Sequence, residues 1–188
     1  MDNKEGHAQP SQPAIAGRTG TLRDQALHLR AIRGWLLVVI VGLAVSGVTA
    51  FPLETELRMM HASFSSSALR HFSEFTRLLP WITQVHQALA ATNRAYPFLA
   101  YGTDWLAFAH ILFAVLFLGP YRDPVRNRWV ITFGLIASAA IFPLAFIAGP
   151  LRHIPLGWRF IDSSFAIFAA VPLMMCLRHL RAIDEAGA

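Results

Sequence analysis

Residues 34–51 hold no charged side chain over 18 positions, and residues 129–148 hold none over 20. Residues 98–119, 22 positions long, are interrupted by Asp104 and His110, and the 18 positions of 160–177 by Asp162 near their start. A helix rises about 1.5 Å per residue, so about 20 apolar residues cross the roughly 30 Å of a bilayer's hydrocarbon. All four runs meet that length, the first and last only just. The chain reads as an all-α, polytopic membrane protein: a four-transmembrane-helix bundle with spans at about 34–51, 98–119, 129–148 and 160–177.

Composition agrees with this. Apolar residues fill 55% of the 188 positions and charged residues 14%, with Phe alone occurring 14 times. A soluble domain of this length could not enclose so much apolar surface, whereas lipid accommodates it. Lys4 is the one lysine among 16 basic residues. Such Arg-rich usage, with frequent Ala, is that of a GC-rich bacterial genome. The net charge of +5 does not point to nucleic acid, because the arginines flank apolar runs instead of forming one solvated patch. Cys176 is the single cysteine, which excludes an intrachain disulfide and a CxxC zinc or redox site.

Basic residues also set the expected orientation. With the N-terminus inside, Lys4, Arg18, Arg23, Arg30, Arg33, Arg122, Arg126, Arg128, Arg178 and Arg181 are cytoplasmic. Arg58, Arg70, Arg77, Arg94, Arg152 and Arg159 are outside, partly balanced by Glu54, Glu56 and Glu74. The excess places both termini in the cytoplasm of a bacterial inner (plasma) membrane. Val48-Thr49-Ala50 has the small residues of a cleavage site, so removal of span one as a signal peptide is the alternative. The long segment before it and the helical pattern after it argue against cleavage.

Residues 1–21 are polar, without apolar periodicity, and read as a disordered cytoplasmic tail. Thr21 is the expected N-cap of a helix running into span one, and residues 22–188 form one membrane domain. Between spans one and two, residues 52–97 carry Leu57, Met60, Phe64, Leu69, Phe72, Phe75 and Leu79 at near-helical spacing, and Pro80 suits the first turn of a second helix. They predict an extracytoplasmic helical hairpin lying on the membrane surface or capping the bundle. The short connections 120–128 and 150–159 predict that spans two and three, and three and four, are antiparallel neighbours. In each, a Gly-Pro pair (Gly119-Pro120, Gly149-Pro150) is expected to stop the helix, and Asp123 to pair with Arg122 or Arg126. Pro143 and Pro172 are expected to kink spans three and four.

Ionisable residues inside a span are costly and each needs a reason. Asp104 lies about 9 Å below the outer end of span two, on a helical face with Tyr101, Trp105, Phe108 and Ile111. Asp162 enters span four at a shallower depth, Arg152, His153 and Arg159 follow span three, and Glu54 follows span one. Two readings arise. In one, Asp104, Asp162, Arg152, Arg159, Tyr101 and Glu54 form an outer-face polar pocket. In the other, the aspartates pair with Arg152 or Arg159 and fix the helix register. His110, about 18 Å down span two, is the candidate intramembrane ligand; a bis-His haem would need a second intramembrane histidine, which no other span supplies. His61, His71 and His86 match no metal spacing, so neither a metal nor a cofactor is expected, with haem or quinone as the exception to test. Gly42, Ser46 and Ala50, with Gly47 beside them, allow close helix approach inside the bundle or across a homodimer.

The stretches Tyr96-Pro-Phe-Leu-Ala-Tyr-Gly-Thr-Asp-Trp-Leu-Ala-Phe-Ala-His110, Gly119-Pro-Tyr-Arg-Asp-Pro-Val-Arg-Asn127 and Ile161-Asp-Ser-Ser-Phe165 resemble a group of uncharacterised bacterial four-span membrane proteins. The resemblance covers spans two to four and implies their fold and topology, without a mechanism. No Walker loop, GxSxG elbow, HExxH or CxxCH occurs, which counts against the familiar enzyme classes. Thr132 and Ser138 are the only polar side chains in span three, which counts against an ion path. The leading expectation is a non-enzymatic accessory, interaction or sensory protein in the lipid bilayer. The alternatives are a membrane enzyme or redox protein acting on a lipid, quinone or haem at the outer pocket, and a small oligomeric transporter.

Overall fold

The computed structural model describes residues 12–66 and 70–187, the side chains of 12–22, 70 and 72 excepted. Lys4, most of the tail and Leu69, and the side chains of Arg18, Thr21, Arg70 and Phe72, therefore lie outside the described residues. All described elements are helical: α1 (Gln12–Ala50), α2 (Leu53–Phe64), α3 (Arg70–Phe75), α4 (Leu78–Ala95), α5 (Ala100–Leu116), α6 (Leu118–Arg122), α7 (Arg128–Pro143), α8 (Gly149–Leu151) and α9 (Leu156–Gly187). A 3₁₀ turn, Pro97–Leu99, precedes α5, and a π-helical turn, Leu144–Ala148, follows α7.

Four stretches are long and apolar enough to cross a membrane: Arg23–Ala50, Pro97–Arg122, Arg128–Leu151 and Leu156–Gly187. Between 17% and 28% of each apolar window is buried, so most of its side chains face out. Val41, Val45, Phe108, Leu112, Ile136, Phe165 and Phe168 are among the large residues so exposed. An apolar exterior on a helical bundle is the surface of a multi-pass membrane protein.

The spans extend past their uncharged stretches, because a helix does not end where its side chains become polar. The expected N-cap Thr21 lies inside α1, whose backbone is helical from Gln12, and α9 continues to Gly187. Pro143 closes α7 and passes into the π-helical turn; a proline lacks the N–H that would continue the ladder, and a widened turn accommodates the loss. Pro172 is buried inside α9. The Gly-Pro pairs do not stop their helices as expected. Each opens or sits within one more turn, α6 or α8, because proline is tolerated in a first turn. Asp123 Oδ1 accepts the backbone N–H of Arg126 at 3.1 Å rather than pairing with a guanidinium.

The main core lies at the end of the bundle opposite the α2–α4 connection. Ile32, Leu36 and Val39 of α1 meet Phe117, Ile131 of α7, and Leu173, Cys176 and Leu180 of α9. Cleavage after Ala50 would remove the α1 contribution entirely. Between helices that share a lipid environment, such contacts hold through close packing, with little hydrophobic driving force. Gly134 permits it: a Cβ there would stand 2.7 Å from Leu173 Cδ1 and 2.8 Å from Phe117 Cζ.

Helix α1 is central, packing on α5 along one side and α9 along another, while α7 packs on α9. The antiparallel pairing of spans three and four is as expected. Spans two and three, however, meet chiefly beside their connection, through Phe117 over Gly134 and the Phe113 and Phe133 rings 6.4 Å apart. Span two takes α1 as its partner because Gly47 lets them close up; a Cβ there would lie 2.8 Å from the Ala107 carbonyl oxygen. Gly42 takes no part in this contact, since a Cβ on it meets nothing within 4 Å.

Helices α2 and α4 pack as a hairpin, burying Leu57, Leu78 and Ile82, and Pro80 lies in the first turn of α4. Ser73 Oγ donates to the Phe64 carbonyl at 3.1 Å, tying α3 back to the end of α2. The elbow before α4 rests on the start of α9, where a Cβ on Gly157 would approach the Thr76 carbonyl oxygen to 2.9 Å. The hairpin thus reaches from the head of span two to the head of span four.

Candidate functional site

Where α4 passes the head of span two, a groove of about 400 Å³ opens, walled by Trp81, Val85 and Leu89 of α4 and by Leu99, Ala100 and Thr103. Gln84, Ala88, Thr92 and Asn93 complete its α4 side. A smaller recess of about 100 Å³ adjoins it at the α1–α2 junction, where Phe51, Pro52, Glu54, Thr55 and Asp104 come together. Leu89, Asn93, Ala100 and Thr103 line both spaces. The result is one amphipathic cleft, apolar over most of its length and acidic at one end.

Local sequence explains the shape. Small residues, Ala88 and Ala100, leave the space, and Tyr96 with the Pro97–Leu99 turn steps the chain away from α4 before span two begins. Asn93 Nδ2 donates to Glu54 Oε2 at 3.0 Å, closing the polar end from the α4 side. Asn93 Oδ1 is enclosed and, among the described residues, has no donor. The amide cannot be turned about, because a carboxylate only accepts. Asp104 is half-buried in the second turn of α5. Among the described residues its carboxylate has neither an ion-pair nor a hydrogen-bond partner.

The expected six-residue pocket divides. Asp104 and Glu54 come together in the cleft, whereas Asp162, Arg152, Arg159 and Tyr101 do not line it. Tyr101 is 62% exposed and stands edge-on to Trp105, which stands edge-on to Phe108, with centroids 6.0 and 6.2 Å apart. That outward ladder is of the kind enriched where a membrane meets water. Arg159 lays its stem over Gly149, where a Cβ would meet its Cδ at 2.7 Å, and its enclosed Nε has no acceptor among the described residues. Arg152 is exposed, and Asp162 is half-buried on α9. The register-fixing aspartate–arginine pairs are not formed among the described residues. The reason is topological: Asp104 and Asp162 ride on spans that pack along different sides of α1, the second of them also against α7.

His110 Nδ1 donates to the Leu106 carbonyl at 2.8 Å, and its Cβ lies against Gly47. Its ring is thus anchored to its own helix at the α1–α5 crossing. Among the described residues no three His, Cys, Asp or Glu side chains gather in a metal-binding group.

A second polar contact, absent from the sequence reading, lies at the opposite end of the bundle. His28 of α1 faces His179 of α9 with the Nδ1 atoms 2.9 Å apart and the ring centroids 5.2 Å apart. That centroid distance is the N···N separation plus a ring radius on each side, so the two nitrogens point at one another along nearly one line. One Nδ1–H donates to the other Nδ1, and the line leaves no apex for a chelated ion. One turn deeper, Cys176 Sγ lies 3.7 Å from the Ile32 carbonyl, to which it donates. The signal that could have found the pair is the stripe His28, Ile32, Leu36, four residues apart, running into the core.

No family model, curated protein or solved structure matches this chain.

Proposed function

We propose that this is a non-catalytic accessory or sensory protein of the bacterial plasma membrane that binds an amphipathic molecule in the cleft between α4 and the head of span two. In this reading both termini are cytoplasmic, following the arginine distribution, and the hairpin lies outside. One observation carries the binding: the cleft's apolar wall runs continuously into a recess lined by Glu54, Asn93, Thr103 and Asp104. About 400 Å³ lies within the roughly 300–1,000 Å³ that ligand sites occupy. Being built between the hairpin and a span, the cleft gives a bound molecule a direct way to alter how the hairpin sits. The open face of Gly42, Ser46 and Ala50 is where a homodimer would form.

The experiment is native mass spectrometry of the protein released from nanodiscs, with Ala88→Trp as the variant that fills the groove from an exposed position. A mass increment at fixed stoichiometry, lost in Ala88→Trp while the melting temperature holds, is the expected result. An increment unchanged by Ala88→Trp, or no increment from any lipid extract, refutes the reading. The same spectra give the oligomeric mass, and a monomer removes the dimer. A cysteine placed at Ser66, exposed at the end of α2, should react with an impermeant maleimide in intact cells.

A further inference from the structure

Resting on that binding reading, the geometry points to the charge of the ligand: we infer that the cleft takes an amphiphile with a cationic ammonium head and an apolar tail. The head would sit beside Glu54 and Asp104 and the tail along Trp81, Val85 and Leu89.

Three observations converge. Two carboxylates line the same small recess, and neither has a cationic partner among the described residues. Among the described residues no Lys or Arg lines either space; the neighbouring Arg94 directs its Nε to the Ala90 carbonyl, 3.1 Å away. The one side-chain N–H known to be turned toward a carboxylate here, Asn93 Nδ2, is already engaged on Glu54, and the same amide's enclosed oxygen lacks a donor. Apart from the Thr55 and Thr103 hydroxyls, what remains at this end of the cleft is acceptor capacity and negative charge. A carboxylate held at the edge of hydrocarbon without a counterion is costly, and a charge-assisted contact to a cation offsets that cost. An anionic head would add a third negative charge, and an uncharged sugar head would leave both carboxylates unneutralised.

The cavities supply what the carboxylates alone would not. An apolar groove four times the volume of the recess adjoins it, so the head and tail of one molecule are accommodated together. Free inorganic or small organic cations lack the tail that the apolar groove would take.

The test offers the nanodisc-held protein three probes with the same dodecyl tail: the trimethylammonium, the sulfate and the maltoside. Native mass spectra at pH 7 give the occupancy of each. The trimethylammonium should be held at least tenfold more tightly than the sulfate. Glu54→Gln, which keeps an acceptor for Asn93, and Asp104→Asn should each reduce that preference several-fold while leaving maltoside occupancy as in the wild type. Maltoside occupancy also reports that each variant is folded, and the exposed Glu54 position keeps the test available if Asp104→Asn does not assemble. Equal retention of all three probes, still abolished by Ala88→Trp, overturns the charge inference and leaves the cleft reading standing. Preference for the sulfate does the same. No retention of any probe defeats the cleft reading, and this inference with it.

Discussion

Gly47→Ala adds one methyl group at the contact that decides which helix span two packs on. The new Cβ would stand 2.8 Å from the Ala107 carbonyl oxygen, 2.8 Å from Ile111 Cγ1 and 3.2 Å from His110 Cβ. The Ile111 side chain can turn aside. The Ala107 oxygen cannot, because the helix backbone holds it, and restoring an ordinary contact of 3.4 Å requires α1 and α5 to part by about 0.6 Å. A gap of that size forfeits about a quarter to a half of the dispersion energy of atoms it separates. Overpacking of this kind costs about 1–3 kcal/mol, and the better helix propensity of alanine returns about 1 kcal/mol.

Gly42→Ala is the matched control, since it has the propensity gain and meets nothing within 4 Å. The two variants should therefore differ by about 1–3 kcal/mol, which for a chain of this size corresponds to roughly 2–12 °C in melting temperature. Intrinsic tryptophan fluorescence during heating, in one detergent, reads the difference. A Gly47→Ala protein that melts at or above Gly42→Ala would refute the α1–α5 crossing and, with it, the wall of the cleft formed by Thr103 and Asp104.

Two further sets of changes probe other parts of the fold. His28→Leu or His179→Leu leaves one half-buried Nδ1 unpaired and should cost about 1–3 kcal/mol. The double variant should cost about 1 kcal/mol less than the sum, and strict additivity would dismiss the contact. Arg77 and His153 hold left-handed backbones, with φ of 58° and 56°, a conformation that costs a residue with a side chain roughly 1–2 kcal/mol. Arg77→Gly and His153→Gly should each raise the melting temperature by a few degrees, since glycine relieves that strain while its unfolded-state entropy returns about 0.4–1 kcal/mol of the gain. A lower melting temperature in both would contradict the turn geometry at the hairpin elbow and before α9.

The helices were legible because lipid imposes one simple rule, that a crossing segment satisfies its backbone internally and covers itself with apolar side chains. Residues 34–51 and 129–148 follow it closely, without a charged side chain. The rule acts on the sum over a segment and says little about ends, so α1 and α9 run past the stretches that announced them, carrying His28 and His179 with them. The proline positions were legible as well, but their consequences depended on context: Pro143 leads into a π-helical turn, whereas Pro120 and Pro150 lie in fresh single turns. A sequence gives the missing N–H; the neighbours decide what the chain does about it.

The site was half legible, for a related reason. Asp104 stood out because a carboxylate within an apolar run needs compensation, and it does line a recess. Its neighbours were misassigned by treating connection length as contact: the short loops suggested that spans two, three and four share one outer cluster with Asp162, Arg152 and Arg159. Packing is decided instead by where backbones can approach. Gly47 admits Ala107 and Gly134 admits Phe117, so span two lies along α1 and touches span three mainly beside their connection. That choice carries Asp104 toward the start of α2, where Glu54 stands, and toward Asn93 some forty residues after it in the hairpin. No periodicity links those three positions. The glycines that select the partner helix therefore also select the company of the aspartate, which is why the Gly47 comparison tests the cleft as well as the fold.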